Sequence, residues 1–398
     1  MRDLVFILAL GALLGAAPRP ASAQEPADHV IAEAKKMAIA RTAPSCGPHP
    51  ELKAADFSIP LTEIQTFKDG PLALDALKSF GVRTIFRYYD LPTESLDCKT
   101  LLSDELDLIL TSGFSVAIVF QHHGNEPLTF LDPGRAHLDA KRSLELAEAH
   151  GQPYLTAIYF GVDGAENEIV AYAHEFEISK GEPLTAARQR VLAGENFRKM
   201  SRQALDRYTL NYEFFRINHA MLFPGREPTK VSAADMLPHI DTYFAVIRAE
   251  FDRASGGDPA KSYKLGVYGS GLVNRHMKNN PAVSYFWLAQ SSGWKQFSQF
   301  VDSKLWNLWQ QYPTKCTPPW YNVRTNKTNV DFDLNMPMRD EFGQWSARRA
   351  DPRPLPRPET CKPLSLRKAE IGGRRGTFAP YALVSPPSAT QEGWRQHR

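Results

Sequence analysis

From residue 54 onward, short continuous runs of apolar residues alternate with longer segments in which apolar positions recur at helical spacing. A short apolar run bounded by glycine or polar residues is typical of a buried strand, and the spaced pattern is typical of a helix. The pattern predicts strands at 54–59, 82–90, 115–124, 154–164, 263–271, 284–293, 304–313 and 330–336. It predicts helices at 70–81, 101–113, 133–151 and 232–254.

Strands that alternate with helices indicate parallel βαβ units, so the predicted fold class is α/β. About eight strands within roughly 280 residues fit a (β/α)8 barrel better than an open doubly wound sheet. No predicted strand is followed by a GxGxxG sequence or a P-loop, which argues against a nucleotide-binding open sheet. The predicted fold is therefore a (β/α)8 TIM-like barrel with a helical insertion after the fourth strand and irregular termini.

Changes in composition along the chain predict its domain organisation. The barrel is predicted at 54–338, and its helical insertion covers roughly residues 165–230. Residues 24–53 form an N-terminal extension. Residues 339–398 are rich in arginine and proline, a composition that does not favour packing, and are predicted to be a disordered tail.

Residues 1–23 have the pattern of a secretory signal peptide. A short charged start precedes an apolar stretch at 4–17 and a small-residue pattern at 21–23. Cleavage is expected after Ala23, and the mature protein is expected to be exported to the periplasm or the extracellular space. The apolar stretch is shorter than the roughly 20 residues that a membrane span needs, and no second stretch approaches that length. No membrane span is therefore predicted in the mature protein.

The cysteines and the net charge indicate which bonds, metal sites and partners the sequence supports. The four cysteines lie at positions 46, 98, 316 and 361, and an even number in an exported chain suggests disulfides, with three possible connectivities. We expect Cys46 to pair with Cys98 and Cys316 with Cys361, which would attach each irregular terminus to the barrel. None of the spacings is CxxC, so a zinc or redox motif has little support. The net charge of +3 gives no reason to expect nucleic acid as a partner.

Polar and aromatic residues recur at nearly every predicted strand end, while the strand interiors stay apolar. Barrel enzymes carry their chemistry at these ends, because the loops there share one mouth. The candidate catalytic carboxylates are Asp56, Asp163, Asp331 and Asp333. The candidate substrate-binding residues are Arg87, Tyr88, Gln121, His122, Tyr268, Gln290, Trp309 and Gln310. The pattern predicts a functional barrel mouth.

These residue types suit a sugar ligand, because aromatic faces cover C–H surfaces while amides and carboxylates bind hydroxyls. Hydrolysis of a glycosidic bond needs one carboxylic acid and a second carboxylate, separated by about 5 Å or by about 6.5–9.5 Å. Asp163 is the strongest single candidate for the acid. Taken alone, each aspartate is more often a strand-end cap or a salt-bridge partner, so the prediction depends on the set.

The adjacent histidines His122 and His123 allow a third chemistry, metal-dependent hydrolysis. Neighbouring side chains of a strand point to opposite faces, so at most one histidine faces the mouth. Further ligands would be needed, such as the carboxylates of Asp56 or Asp163. A hydrogen-bonded histidine at a strand end is the commoner role, and no metal or cofactor is predicted.

The runs ADFSIP, IFRYY, IYFGVD, LGVYGSG, FWLAQ, LWQQY and VDFDLN, taken in this order, resemble a known family. It is the glycoside-hydrolase-like barrel domain of secreted bacterial proteins, a domain-of-unknown-function family distantly similar to the family 25 lysozymes. The resemblance covers roughly residues 54–336. It implies site aspartates ending the first strand, the fourth strand and the last strand. Asp56 matches the first, Asp163 the fourth, and Asp331 or Asp333 the last.

One position departs from the lysozyme pattern. The lysozymes carry Asp-x-Glu at the fourth strand, and this chain has Asp163-Gly164-Ala165 there. Glu166 and Glu168 follow out of register. Two main readings therefore stay open: an exported glycoside hydrolase acting on peptidoglycan-like polysaccharide through paired carboxylates, or a non-catalytic glycan-binding or envelope-scaffold protein with a degenerate site. The metal-dependent hydrolase is the third.

Overall fold

A closed barrel of eight strands lies at the centre of the fold. The computed structural model describes residues 53–61, 70–91, 98–186, 201–290, 295–311 and 333–349, together with 189, 323–324, 329–330, 352 and 361. The strands are β1 (Ala54–Asp56), β2 (Thr84–Tyr89), β3 (Ser115–Phe120), β4 (Ala157–Val162), β5 (Lys264–Gly269), β6 (Val283–Leu288), β7 (Leu308–Gln311), β8 (Val323–Arg324), β9 (Asn329–Val330) and β10 (Asp333–Pro337). The barrel order is β1–β10–β7–β6–β5–β4–β3–β2, and β8 and β9 form a separate two-stranded pair.

Helices follow most of the barrel strands. They are α1 (Gly70–Phe80), α2 (Ser103–Thr111), α3 (Pro127–Leu131), α4 (Pro133–His150), α5 (Ala165–Ser179), α6 (Arg202–Leu222), α7 (Leu237–Ala254), α8 (Gly271–Met277) and α9 (Phe297–Ser303). The predicted (β/α)8 TIM-like barrel is confirmed. Helices α5 and α6 lie in the region where the sequence predicts a helical insertion.

The strands are buried on both faces, which explains their nearly continuous apolar sequences. All six residues of β4 are buried. In β2, Phe86 packs into the interior of the barrel, whereas Ile85 and Tyr89 pack between the barrel and its helices. Side chains therefore alternate between two buried layers, and apolar character alone does not tell which layer a residue enters.

The last barrel strand runs in the opposite direction from the one that the sequence predicts. β10 pairs antiparallel with both β1 and β7. A parallel strand needs a crossover connection, usually a helix, and the described residues between β7 and β10 contain only the β8–β9 pair. Because of this reversal, Asp333 begins β10 and does not end it. Its register partner is Asp56, so Asp333 still lies at the mouth.

The first part of the predicted tail packs against the amino-terminal end, or base, of the barrel. Phe342 and Trp345 are 3% and 5% exposed. The Tyr159 hydroxyl donates to the Phe342 carbonyl at 2.7 Å, and Trp345 exchanges backbone hydrogen bonds of 2.8 and 2.9 Å with Val116. The segment thus closes the amino-terminal end of the barrel core through two buried aromatic side chains.

Gly343 is expected to be intolerant of substitution. Its φ is +87°, and an added Cβ would overlap the Ala157 side chain and lie 2.8 Å from the Ala157 nitrogen. We expect Gly343→Ala to lower the free energy of unfolding by roughly 1–3 kcal/mol more than Gly257→Ala. Gly257 also has positive φ, +79°, but no atom lies within 4 Å of its added Cβ. Urea unfolding of the two variants measures the difference, and equal losses would contradict close packing at the base.

The disulfide differs from the expected pairing. Cys98 is bonded to Cys361, with 5.3 Å between their Cα atoms. The predicted pairs Cys46–Cys98 and Cys316–Cys361 are therefore wrong. Pairing depends on which segments meet in space, and here a residue 263 positions away returns to Cys98. Cys46 and Cys316 lie outside the described residues.

Two other predictions concern the ends of the chain and the membrane. The predicted signal peptide and its cleavage after Ala23 lie outside the described residues. Residues 24–52 of the predicted extension lie outside them as well. Within the part of the chain that the structure describes, no helix combines the length and the apolar character needed to cross a bilayer.

Candidate active site

Three aspartates meet at the mouth of the barrel. Asp56 ends β1, Asp333 begins β10, and Asp163 follows β4 directly. Burial is the largest cause that raises the pKa of the hydroxyls of Tyr88 and Tyr268, and the charges of all three aspartates raise both pKa values further. Both tyrosines therefore lie in the field of the same three carboxylates.

Asp56 lies deepest and is enclosed by hydrogen-bond donors. Its side chain accepts from the Tyr88 hydroxyl at 3.3 Å, the Asn335 amide at 2.8 Å and the Gln310 amide at 3.5 Å. Burial raises the pKa of the Asp56 carboxyl to about 7; the charge of Asp163 adds to this rise, and the three donors oppose it. Asp56 thus holds a proton over part of the neutral pH range.

Gln310 connects two of the carboxylates. Its amide nitrogen donates to Asp333 Oδ2 at 2.7 Å and to Asp56 Oδ2 at 3.5 Å. These two oxygens are therefore no farther apart than the sum of the two distances, about 6 Å. The Gln310 oxygen accepts from the Tyr268 hydroxyl at 3.0 Å and from the Gln290 backbone at 3.1 Å. Because the oxygen is occupied by donors, the nitrogen must face the carboxylates.

Asn335 and Trp287 are mouth residues that do not appear among the predicted site residues. The indole nitrogen of Trp287 donates to the Asn335 oxygen at 2.7 Å, which turns the Asn335 nitrogen toward Asp56. Phe86, Tyr159 and Tyr268 surround Trp287 in the barrel interior. The alternation of β10 indicates Asn335, because it lies two residues from Asp333 and shares its face.

Asp163 is half-buried, and a sharp turn presents it to the mouth. Gly164, with φ of 91°, caps the amino terminus of α5, and the Asp163 nitrogen donates to the Gly124 carbonyl at 2.8 Å. The Gln121 amide nitrogen donates to Asp163 Oδ2 at 3.3 Å. Burial raises the pKa of the Asp163 carboxyl, while the charge of Lys99 and the Gln121 hydrogen bond oppose the rise.

Lys99 is a third mouth residue that is absent from the predicted set. Its ammonium contacts Gln121, lies 3.8 Å from Asp90 Oδ2 and sits 4.7 Å from the centroid of the Tyr88 ring. The sequence offers one weak indication of its place, a position directly after Cys98.

Three predicted substrate-binding residues lie away from the mouth or at its edge. Arg87 is fully buried on the helix-facing layer, where it makes two bonds to Glu105, of 2.9 and 3.0 Å. His122 lies at the edge, and its Nδ1 is 2.7 Å from Asp90 Oδ1. Trp309 packs outside the barrel against Trp306 and Phe297, with ring centroids 5.7 and 6.2 Å away.

The other predicted residues divide between the mouth and the region outside the described chain. Tyr88, Gln121, Tyr268 and Gln310 contact mouth residues through their side chains. Gln290 contributes its backbone nitrogen to the mouth, while its side-chain oxygen accepts from the Trp309 indole at 3.2 Å. Asp331 lies outside the described residues. Among the described residues, no group of three or more His, Cys, Asp and Glu side chains is placed to hold a metal ion.

The residues after Asp163 are buried and do not reach the mouth surface. Ala165 and Glu166 are both 0% exposed. Burial raises the pKa of the Glu166 carboxyl to about 7, and the charge of Asp163 adds to this rise, whereas hydrogen bonds from Ser270 and other groups oppose it. Glu166 is therefore a buried acid behind Asp163 and does not take the position of the missing glutamate.

Glu166 is expected to make the stability of the fold depend on pH. Its folded-state pKa of about 7 exceeds the ordinary value of 4.5, so its stabilising contribution is complete below pH 4.5 and is lost as pH rises to 7. We expect the wild type to lose roughly 3 kcal/mol relative to Glu166→Gln across this window. Urea unfolding at about pH 5 and about pH 8 measures the loss, with Glu145→Gln, an exposed glutamate, as control. Parallel pH profiles for the wild type and Glu166→Gln would contradict it.

Comparisons with known proteins agree with the resemblance seen in the sequence. Residues 75–177 match the family model described as Rv2525c-like, glycoside hydrolase-like domain, which confirms that resemblance. The matched range includes β2, β3, β4 and Asp163. None of the curated proteins compared with the chain matches it.

Two solved structures are similar to the chain at low sequence identity. One is the Mycobacterium tuberculosis Tat-secreted protein Rv2525c in complex with HEPES, with 15% identity, 73% of this chain and 98% of that chain covered, and a TM-score of 0.38. The other is an uncharacterized B. stearothermophilus protein, with 10% identity, coverages of 72% and 95%, and a TM-score of 0.35.

Proposed function

We propose that this chain, which carries an Rv2525c-like glycoside hydrolase-like domain at residues 75–177, is an exported protein that binds cell-wall polysaccharide of the peptidoglycan type in its barrel mouth and hydrolyses it. The observation that carries the proposal is the group of three carboxylates in the barrel mouth. The Gln310 amide joins Asp56 and Asp333, and the charges of Asp56, Asp163 and Asp333 all act on Tyr88 and Tyr268. Glycosidic hydrolysis needs paired carboxylates in different protonation states, and the mouth supplies carboxylates that differ in burial and in hydrogen-bond partners.

Asp163 is proposed as the general acid. It is half-buried and can contact a ligand, whereas Asp56 is 2% exposed. Burial raises the pKa of the Asp163 carboxyl, which favours its protonated form as a general acid requires. The proton would pass from the Asp163 carboxyl to the oxygen of the leaving sugar as the glycosidic bond breaks.

Asp333 is proposed as the partner carboxylate, acting as base or nucleophile. It is half-buried, and the Gln310 amide holds one of its oxygens at 2.7 Å. Asp56 lies below it and shares the same amide, so its proton and charge influence Asp333 directly. Tyr88, Tyr268 and Gln121 are proposed to bind sugar hydroxyls, since they combine mouth positions with polar groups.

The alternative function is glycan binding without hydrolysis. It is favoured by the burial of Ala165 and Glu166, which leaves no acid in the position that the family 25 lysozymes use. In this case, the mouth would bind the same polysaccharide but release no product.

Incubation of the mature protein, residues 24–398, with purified peptidoglycan and a panel of polysaccharides tests both functions. Hydrolysis predicts new reducing ends that Asp163→Asn fails to produce. Binding alone predicts co-sedimentation with the polysaccharide, without reducing ends, by wild type and variant alike. Absence of both binding and product from every polysaccharide would reject glycan as the ligand.

Export is tested separately by expressing the full chain in a bacterial host and fractionating the cells. The proposal predicts protein in the exported fraction whose mass corresponds to cleavage after Ala23. Full-length protein retained in the cytoplasm would contradict it.

A further inference from the structure

Lys99 is a charged side chain directed into the mouth that the proposed chemistry does not use. It is 8% exposed. Its ammonium donates to the Gln121 carbonyl at 2.5 Å and to the Gln121 side-chain oxygen at 3.3 Å. The centroid of the Tyr88 ring lies 4.7 Å from the ammonium, and the Tyr88 hydroxyl donates to Asp56. A cation this deeply buried requires charged or polar partners, and the mouth supplies them.

The Gln121 amide transmits the position of Lys99 to Asp163. The amide oxygen accepts from Lys99, and the amide nitrogen on the other side donates to Asp163 Oδ2 at 3.3 Å. An ammonium can only donate, so Lys99 fixes which end of the amide faces Asp163. If Lys99 were absent, the amide could rotate and present its oxygen to the carboxylate, which would disfavour the ionised form.

The chain holds Lys99 from both sides. Cys98 is bonded to Cys361, which is 2% exposed, and Thr100 forms a bridge with Tyr88 of β2. The Leu101 nitrogen donates to the Tyr88 carbonyl at 2.8 Å. The disulfide therefore ties the residue before Lys99 to a distant segment, while the bridge ties the residue after it to the barrel.

We propose that Lys99 is a positioning residue of the mouth and that the Cys98–Cys361 disulfide holds it in place. Lys99 orients the Gln121 amide and supplies the cation that faces Asp163. The carboxylates of Asp90 and Asp163 and the ring of Tyr88 face Lys99, and the charge of the Arg87 guanidinium acts on it from the helix-facing layer. Its catalytic consequence rests on the proposed function, but its effect on Asp163 does not.

The test measures the titration of the Asp163 carboxyl by carbon NMR of the full mature protein, in which Asp163→Asn assigns the signal. The cation lowers the pKa of Asp163, so Lys99→Met is expected to raise it by about one pH unit or more. Lys99→Arg, which keeps the charge, should restore most of the shift. The double variant Cys98→Ser/Cys361→Ser should give a smaller rise in the pKa of Asp163, because the residue before Lys99 loses its covalent attachment.

Lys304→Met, at an exposed position, is the matched control and should leave the Asp163 titration unchanged. An Asp163 titration in folded Lys99→Met that matches wild type overturns the role of Lys99, and one in the double cysteine variant that matches wild type overturns the role of the disulfide. If Lys99→Met does not fold, Lys99→Gln replaces it with the same expected shift. The NMR titration of Asp163 needs no turnover, so it tests the role of Lys99 even if the protein binds glycan without hydrolysing it.

Discussion

Asp163→Asn is expected to lower the rate of polysaccharide hydrolysis by about 10²–10⁴-fold while leaving polysaccharide binding nearly unchanged. The amide cannot deliver a proton to the leaving oxygen, but its oxygen can still accept from the Gln121 nitrogen that now bonds Asp163. Reducing-end release gives the rate, and co-sedimentation with the insoluble polysaccharide gives the binding.

The control for this prediction is Asp340→Asn. The Asp340 side chain is 99% exposed near the base of the barrel, where it forms a 3.6 Å ion pair with Lys53. The Asp340→Asn variant should hydrolyse the polysaccharide at the wild-type rate. Wild-type hydrolysis by Asp163→Asn would remove Asp163 as the acid and leave Asp56 and Asp333 as the acids to examine by the same substitution.

Arg87→Met is expected to lower the free energy of unfolding by about 3–5 kcal/mol without a direct effect on glycan contacts. Arg87 and Glu105 form a fully buried pair with side-chain exposures of 0% and 1%, and Arg87 also donates to the Phe57 carbonyl at 2.7 Å. Removal of the guanidinium leaves the Glu105 carboxylate buried with the Leu61 nitrogen as its remaining described donor. Urea unfolding at neutral pH measures the loss.

Two further variants show whether the loss comes from the ion pair. Arg87→Met/Glu105→Gln should recover part of the stability, because the neutral amide no longer needs a cation and its oxygen still accepts from Leu61. Arg83→Met, on the exposed side of the same region, should cost less than about 1 kcal/mol. Reduced glycan binding by Arg87→Met at unchanged stability would restore Arg87 to the substrate-binding residues.

The sequence predicts the positions of the carboxylates better than the roles of their neighbours. The sequence predicts Asp163 at a strand end because a buried strand has to reach the barrel mouth before a charge can follow it. Arg87 could not be placed in the same way. It alternates with Phe86 and Tyr88, and both faces of β2 are buried, so the sequence does not show which face encloses the mouth.

The direction of the last strand and the pairing of Cys98 are two further features that the sequence does not show. The segment 330–336 reads as a strand in either direction, and only its contacts with β1 and β7 show that it is antiparallel. That direction gives Asp333 the register of Asp56. The cysteine pairing joins Cys98 to a residue 263 positions away, which spacing does not reveal.

The sequence alone determined the order of strands and helices, the barrel, and the aspartates at its rim, because burial patterns and turn residues act between neighbours in the chain. Only the tertiary structure decided which side chains meet in the mouth. Gln310 and Asp56 are 254 positions apart, and Asn335 and Asp56 are 279 apart. Such contacts arise from closure of the barrel, which brings its first and last strands together, and no local pattern records them.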